Sequence, residues 1–355
     1  MTHINLARAP LQRRLPLVAA LLACLGLTGP SPLPAAAGEK AATGERVTVS
    51  ATTQALNPEQ PDLERVGRLA FRGGLSLSSP DQRFGGLSGL VISPDGRQLR
   101  AVSDSGWLIS GELSYDDSGR PRGLNEVRVA PLIGLKGRPL RHHKFDSDAE
   151  SLALTGDGAL LVSFERKHRI LRYSPEALAT GGPPTLLAPP PNLKRGVNHG
   201  IEALTQLPDG RLLALSEGLA GNPEIDGAVA GWLWDGRAWQ GFDYIGHDLL
   251  VPVAADTLPS GDVLIVERRF SLLGGLHVRL VIAPQQAFQP GATVKGEEIA
   301  FFKAPLNIDN FEAVATRRNE RRETLIYLLS DDNFSGLQRT LLLLFALSPD
   351  DGVKG

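Results

Sequence analysis

Cysteine is almost missing: among 355 residues Cys24 is the only one. It falls within a segment read below as a targeting signal, so the mature domain has no disulfide, iron–sulfur cluster or cysteine nucleophile, and packing or a metal must stabilise it. An excess of either charge is missing as well. With a formal net charge of -2 the chain lacks the basic footprint of a nucleic-acid binder, and basic pieces such as Arg166-Lys167-His168-Arg169 are short and local. No nucleic-acid partner is expected. Nor does any later segment approach the roughly 18 uninterrupted apolar residues of a membrane-spanning helix, so the body is expected to be soluble. Long amphipathic helical patterns are absent too.

What is present is 42% hydrophobic residues, 39 glycines and 26 prolines, enough for a large core in one big domain or two small ones. Arg8, Arg13 and Arg14 precede an apolar stretch from Leu15 to Leu27, and Ala35-Ala36-Ala37 supplies small residues for cleavage. Residues 1–37 therefore read as a signal peptide, and the protein as exported, periplasmic or secreted. "LLAC" at 21–24 also resembles a lipobox, which leaves a lipid anchor at Cys24 open beside simple cleavage. Residues 38–62 are polar and read as a loose lead-in to a domain from 63 to 355, expected to be a monomer.

That domain repeats. "LSGLVISPDGRQLRAVSD" from Leu87, "AESLALTGDGALLVSFE" from Ala149, "IEALTQLPDGRLLALSE" from Ile201, "ADTLPSGDVLIVE" from Ala255 and "FEAVATRRNERRETLIYLLSD" from Phe311 share one pattern: strand, tight turn, strand. Pro94-Asp95-Gly96, Gly156-Asp157-Gly158, Pro208-Asp209-Gly210 and Ser260-Gly261 are turn residues that supply positive or preset φ. Further strand-like pieces lie between the hairpins, and four strands per repeat fits a β-propeller blade. The expectation is an all-β propeller of five to six four-stranded blades, a degenerate sixth being sought between Gly106 and Arg141. The last repeat is a strand short, so the strand from Val66, "VGRLAFRGGLSL", is expected to complete it and close the ring.

Aligned by eye, the copies place Ser88, Glu150, Glu202, Asp256 and Glu312 at the start of the first strand, and Asp104, Glu165, Glu217, Glu267 and Asp331 at the end of the second. In an antiparallel hairpin both sets sit at the end away from the turn. The innermost strand of a blade lines the channel, so these acids are expected to ring one mouth. Gathered carboxylates raise one another's pKa unless a cation offsets them, and Ca²⁺, with six to eight oxygen ligands, suits such a ring better than zinc. The metal-ligand candidates are Asp104, Glu150, Glu202, Glu217, Asp256, Glu312 and Asp331. A structural reading stays open, in which the acids bond neighbouring blades' amides. Asp146 and Asp148, in "DSDAE", at most join the same mouth. Arg166, Lys167, His199 and Arg268 lie beside the acids and are candidates for binding phosphate oxygens; singly, each also reads as a solvated charge. "GGLSGL" around Ser88 has Leu90 where a nucleophile elbow needs glycine, so no Ser-His-Asp triad is supported.

At these residues the sequence resembles the phytase-like family of exported bacterial proteins, with esterase-like activity of phytase. The resemblance lies in "FGGLSGL" with "AVSDSG", "FDSDAESLAL", "NHGIEAL" with "ALSEG", and "DNFEAVA" with "LLSDDNF", over about residues 66 to 347. It implies a β-propeller similar to the alkaline phytases, whose calcium ions at the channel mouth bind phosphate esters; those are six-bladed, whereas five repeats are counted here. By resemblance, Glu150, Glu202 and Glu312 are the catalytic candidates, with Asp104, Glu217 and Asp331 as strand-end companions. The implied activity is calcium-dependent hydrolysis of a small phosphate ester or related ester, with one carboxylate as general base. The alternative is a non-catalytic periplasmic propeller that binds a ligand or protein partner.

Overall fold

Strands alternate direction around a closed ring. The structure, a computed structural model, describes residues 44–348 apart from 141–143, 192, 194–199 and 248. It is a five-bladed β-propeller, each blade built on four antiparallel strands whose innermost begins at one mouth of the central channel, with Thr293–Lys295 added in parallel to the outer edge of blade three. Those inner strands are Leu87–Ile92, Ala149–Leu154, Ile201–Gln206, Val251–Thr257 and Phe311–Arg318, in blades one to five. Each pairs with the strand that returns from the tight turn.

The segment from Gly106 to Arg141 hides no sixth blade: Trp107–Tyr115 and Pro121–Pro131 are the third and fourth strands of blade one. Closure follows the expected route. Leu69–Ser78 pairs antiparallel with Thr340–Leu347 and so completes blade five with a strand from the other end of the domain. The lead-in is more ordered than its composition suggests: Ser50–Gln54 pairs onto Leu69–Ser78, and Glu45–Arg46 onto the outer strand of blade one. These additions cover edges that would otherwise expose unpaired backbone groups.

Both faces of each blade are buried, which explains why strands such as Leu341–Phe345 and Val263–Val266 are apolar throughout instead of alternating. The core divides into five clusters, each filling the seam between two adjacent blades. Leu90, Leu99 and Ile109 of blade one meet Tyr327, Leu329 and Leu342 of blade five, for example. Blades four and five meet through Val266, Leu280, Leu328 and Phe345. Since every seam excludes water, burying the closing strand's Leu75 and Leu77 stabilises the ring by about 1.5–3 kcal/mol per side chain. Among the described residues no helix is long and apolar enough to cross a membrane.

Candidate metal centre and active site

A β-bulge at the start of every inner strand builds the site. Register shifts fall between Leu87 and Gly89, Ala149 and Ser151, Ile201 and Ala203, Pro252 and Ala254, and Phe311 and Ala313. The residue left unpaired is re-aimed, as bulges do, and in order it is Ser88, Glu150, Glu202, Val253 and Glu312. All five line one cavity of about 260 Å³ at the channel mouth. A second tier comes from the returning strands: Asp104, Glu165, Glu217, Arg268 and Asp331. A repeated hydrogen bond holds four of them. The amides of Asp104, Glu165, Glu217 and Asp331 donate to the carbonyls of Gly86, Asp148, Gly200 and Asn310, each just ahead of its own inner strand, at 2.8, 2.9, 3.4 and 2.9 Å.

Blade four departs from the expected pattern. Glu267 pairs with Pro252 in the register where the other blades have Ser103, Phe164, Ser216 and Ser330. Glu267 is fully buried between blades, bonded to Arg279 at 2.6 Å and to the Tyr244 hydroxyl at 2.5 Å, and is structural. Asp256, expected as a metal ligand, lies three residues beyond Val253, toward the opposite mouth, where it lines a separate cavity of about 1020 Å³ with Thr205, Thr257 and Thr316. Its carboxylate accepts from the Thr316 amide at 2.6 Å, the Thr316 hydroxyl at 2.9 Å and the Thr257 amide at 2.9 Å. Burial pushes it up to about 6 against those bonds. The slip leaves Val253 and Arg268 where the other blades carry mostly acids. Counting back from the turn finds this: Ser88, Glu150, Glu202 and Val253 each stand eight residues before Gly96, Gly158, Gly210 and Gly261.

Among the described residues, eight carboxylates and three basic groups line the mouth. Arg268, almost enclosed, reaches Glu312 at 2.7 Å and Glu217 at 3.3 Å, and also contacts Asn310. On the other side Asp148, 2% exposed, lies between two cations, Lys144 at 2.6 Å and Arg166 at 2.5 Å. Lys144, from the short helix Lys144–Ser147, also bonds Asp104. Arg166 reaches back because its backbone turns left-handed, with φ of 52°. Lys167 pairs with Asp146 at 3.1 Å and stays at the rim, while His199 lies outside the described residues. Asp148, Glu150 and Glu165 each offer an oxygen within 4.8 Å of the others.

Charge crowding alters the proton affinity of these acids. Burial, then the charges of Glu202, Asp148, Glu312 and Glu165, pushes Glu150 well above the usual carboxylate range. Burial and then Glu217, Glu165 and Glu312 do the same to Glu202, with Arg268 opposing. Asp331 rises to about 8 through burial, then Glu312, despite the bond its carboxylate accepts from the Asn333 amide. Glu165 is raised by burial although the Gly200 amide donates to it at 3.2 Å. Among the described lining residues, an excess of carboxylates over cations and the lack of histidine or cysteine fit a hard divalent cation such as Ca²⁺ better than zinc.

Of the residues expected at the mouth, Asp104, Glu150, Glu202, Glu217, Glu312 and Asp331 line this cavity together with Arg166 and Arg268. The sequence reading undervalues Asp148 and Glu165 and misses Lys144, Asn310 and Asn333. A positional signal existed for two of these: Asp148 and Asn310 stand two residues before the bulged residue, where blades one and three have Gly86 and Gly200.

Residues 82–334 match the phytase-like family, described as esterase-like activity of phytase, and the chain belongs to that family. No curated protein matches it. Among solved structures it is similar to one assigned as a gluconolactonase, at 14% identity over 86% of this chain and 96% of that one, with a TM-score of 0.43. It is also similar to a PQQ-bound aldose sugar dehydrogenase from Streptomyces coelicolor, at 14% identity over 84% of this chain and 99% of that one, with a TM-score of 0.41. At these scores the two neighbours say nothing about chemistry here.

Proposed function

We propose that the protein is an exported hydrolase that cleaves a small phosphate ester, or a related ester, with calcium at the carboxylate-rich mouth. The observation that carries this reading is the imbalance, among the described residues, of eight carboxylates against three cations in a cavity of about 260 Å³, since clustered buried charge without a counterion is costly. Asp148, Glu150 and Glu165 would hold the ion first, being the acids whose oxygens already converge, with Glu202 and Glu312 across the channel. Bound there, a divalent cation supplies charge neutralisation to the phosphoryl group and a polarised ester.

The remaining work falls to the chain's own groups. Arg268 presents a guanidinium fork at the mouth, braced by Glu312 and Glu217, and Arg forks match phosphate oxygens bidentately. Lys144 and Arg166 add point charge on the opposite side. Burial and neighbouring charge raise Glu150 and Glu202 in the cation-free site, and a carboxylate of this ring that the cation does not engage would serve as the general base. Aryl phosphate, phytate and aryl acetate hydrolysis, measured with calcium and with chelator, tests the reading. Calcium-dependent turnover that Glu150→Gln removes from a folded protein is expected. Absence of turnover on all three substrates rejects hydrolysis and leaves a ligand-binding propeller.

A further inference from the structure

The end of the propeller opposite the acids carries the reverse charge. Because strands alternate direction, the turns of the inner hairpins lie there, with the start of the closing strand Leu69–Ser78 and the end of Thr340–Leu347. Between blades four and five these parts line a cavity of about 840 Å³. Its charged lining, among the described residues, is Arg65, Arg68, Arg72, Lys295, Arg321 and Arg322 against Asp262, Glu297 and Glu323. Two of the acids are already engaged. Glu323 bonds Arg72 at 2.6 Å and the Asn319 side-chain amide at 2.7 Å, and Asp262 accepts from the Ser260 hydroxyl and the Gln285 amide at 3.2 and 3.3 Å. Arg65 donates to a neutral oxygen, the Ser348 hydroxyl, at 2.8 Å. Among the described residues Lys295, Arg321 and Arg322 make no ion pair and no side-chain hydrogen bond. In a chain of formal charge -2, such an excess on one concave surface departs from the usual mixture of signs.

A second, independent observation falls on one of these bases. In every inner hairpin a turn residue donates its amide to the carbonyl three residues earlier: Gly96 to Ser93, Gly158 to Thr155, Gly210 to Leu207, Gly261 to Leu258, and Arg322 to Asn319. All five have positive φ, at 79°, 80°, 87°, 98° and 63°. Glycine adopts that conformation freely and arginine does not. Strain at one turn of five, borne by the residue that lines the cavity, marks a side chain with a task beyond shaping the turn.

We infer that this cavity binds a multiply charged anion of the phosphate class. Arginine forks match phosphoryl oxygens in pairs, and lysine adds a compact charge. A volume of about 840 Å³ suits an anion of several phosphoryl groups better than one small ion. A soluble polyphosphate and the phosphate headgroup of a lipid both offer this chemistry. The cavity faces away from the carboxylate mouth, whose charge repels the same ligand, so the inference stands or falls separately from the proposed hydrolysis.

Calorimetry of the full chain with inorganic tripolyphosphate, in metal-free buffer of low ionic strength, tests for a soluble anion. Vesicles of phosphatidylcholine, with and without phosphatidic acid, test for a headgroup. Saturable binding of tripolyphosphate, or of vesicles only when they contain phosphatidic acid, is the expected result, and the probe that binds names the source. Lys295→Gln combined with Arg321→Gln should weaken that binding by about tenfold or more. Arg322→Gly should weaken it as well while leaving the melting temperature equal or higher, because it relieves the turn as it removes the ligand. No saturable binding of either probe would overturn the inference, as would binding that these variants leave unchanged, or that Arg268→Gln removes, which moves the anion to the mouth. Binding that appears only with Asp350→Asn and Asp351→Asn would overturn it too, since these acids follow Ser348 in the sequence and the cavity would then serve the chain's own acids.

Discussion

Stripping divalent cations from the protein should destabilise it far more at pH 8 than at pH 5. Asp331 shows why. Burial and then the charges of Glu312, Asp104 and Asp332 raise its carboxyl from 3.8 to about 8. An acid raised in the folded state binds a proton there that the unfolded chain has already lost, so without a cation the stability falls as pH rises from about 4 to about 8. At about 1.4 kcal/mol per pH unit, a span of roughly four units amounts to an order of 5 kcal/mol from this group alone, once it is ionised. Glu150, Glu202 and Glu165 shift in the same direction. A bound cation favours the ionised acids and reverses the trend, so added calcium should stabilise strongly at pH 8 and little at pH 5. Urea unfolding in chelator and in calcium at both pH values measures the four stabilities. Chelated protein equally stable at both pH values, or a calcium increment independent of pH, would refute the claim that the mouth acids lack sufficient counter-charge.

Glu150→Gln and Glu202→Gln should raise the chelated protein's urea midpoint at pH 8 and shrink its response to calcium, because each removes one member of the crowded set while keeping its shape. Glu267→Ala strands the buried Arg279 guanidinium and should cost about 3–5 kcal/mol by denaturant titration, with the calcium increment unchanged. Asp256→Ala leaves the Thr316 and Thr257 amides short of an acceptor and should cost about 1–3 kcal/mol, again without altering calcium binding measured by calorimetry. Gly89→Ala sets a methyl group within 2.6 Å of Leu152 Cβ and 2.7 Å of the Leu152 amide nitrogen, and should lower the melting temperature by loosening the seam between blades one and two.

Much of the architecture was legible because its determinants are local. Turns such as Pro94-Asp95-Gly96 and Pro208-Asp209-Gly210 need positive φ at their glycines, and the structure gives Gly96 a φ of 79° and Gly210 one of 87°. Those turns fix where each hairpin reverses, and counting reversals reveals repeating blades. The unpartnered strand from Val66 likewise pointed to closure, since the last repeat lacked a strand and an open edge is unfavourable. The acids at Glu150 and Glu202 were readable for the same reason, each standing eight residues before its turn glycine, while Glu312 was read from its place at the start of a matching strand in a repeat whose hairpin is longer.

What the residues alone left undecided was side-chain direction in blade four and the identity of the counter-charges. In a strand, neighbouring side chains point oppositely, so a slip of three residues exchanges one face for the other and one mouth for the other. Similar letters drew Asp256 and Glu267 into the ring; the bulge at Val253 and the pairing of Glu267 with Pro252 put them elsewhere. Arg268 became the cation of the ring by that same register, and Lys144 and Arg166 met Asp148 only because separate loops converge over it. Local turn chemistry marked the repeating hairpins, and the pairing of Trp107–Tyr115 and Pro121–Pro131 within blade one fixed the number of blades at five. Pairing register and the packing of distant loops decided which carboxylates share a mouth and which cations stand among them.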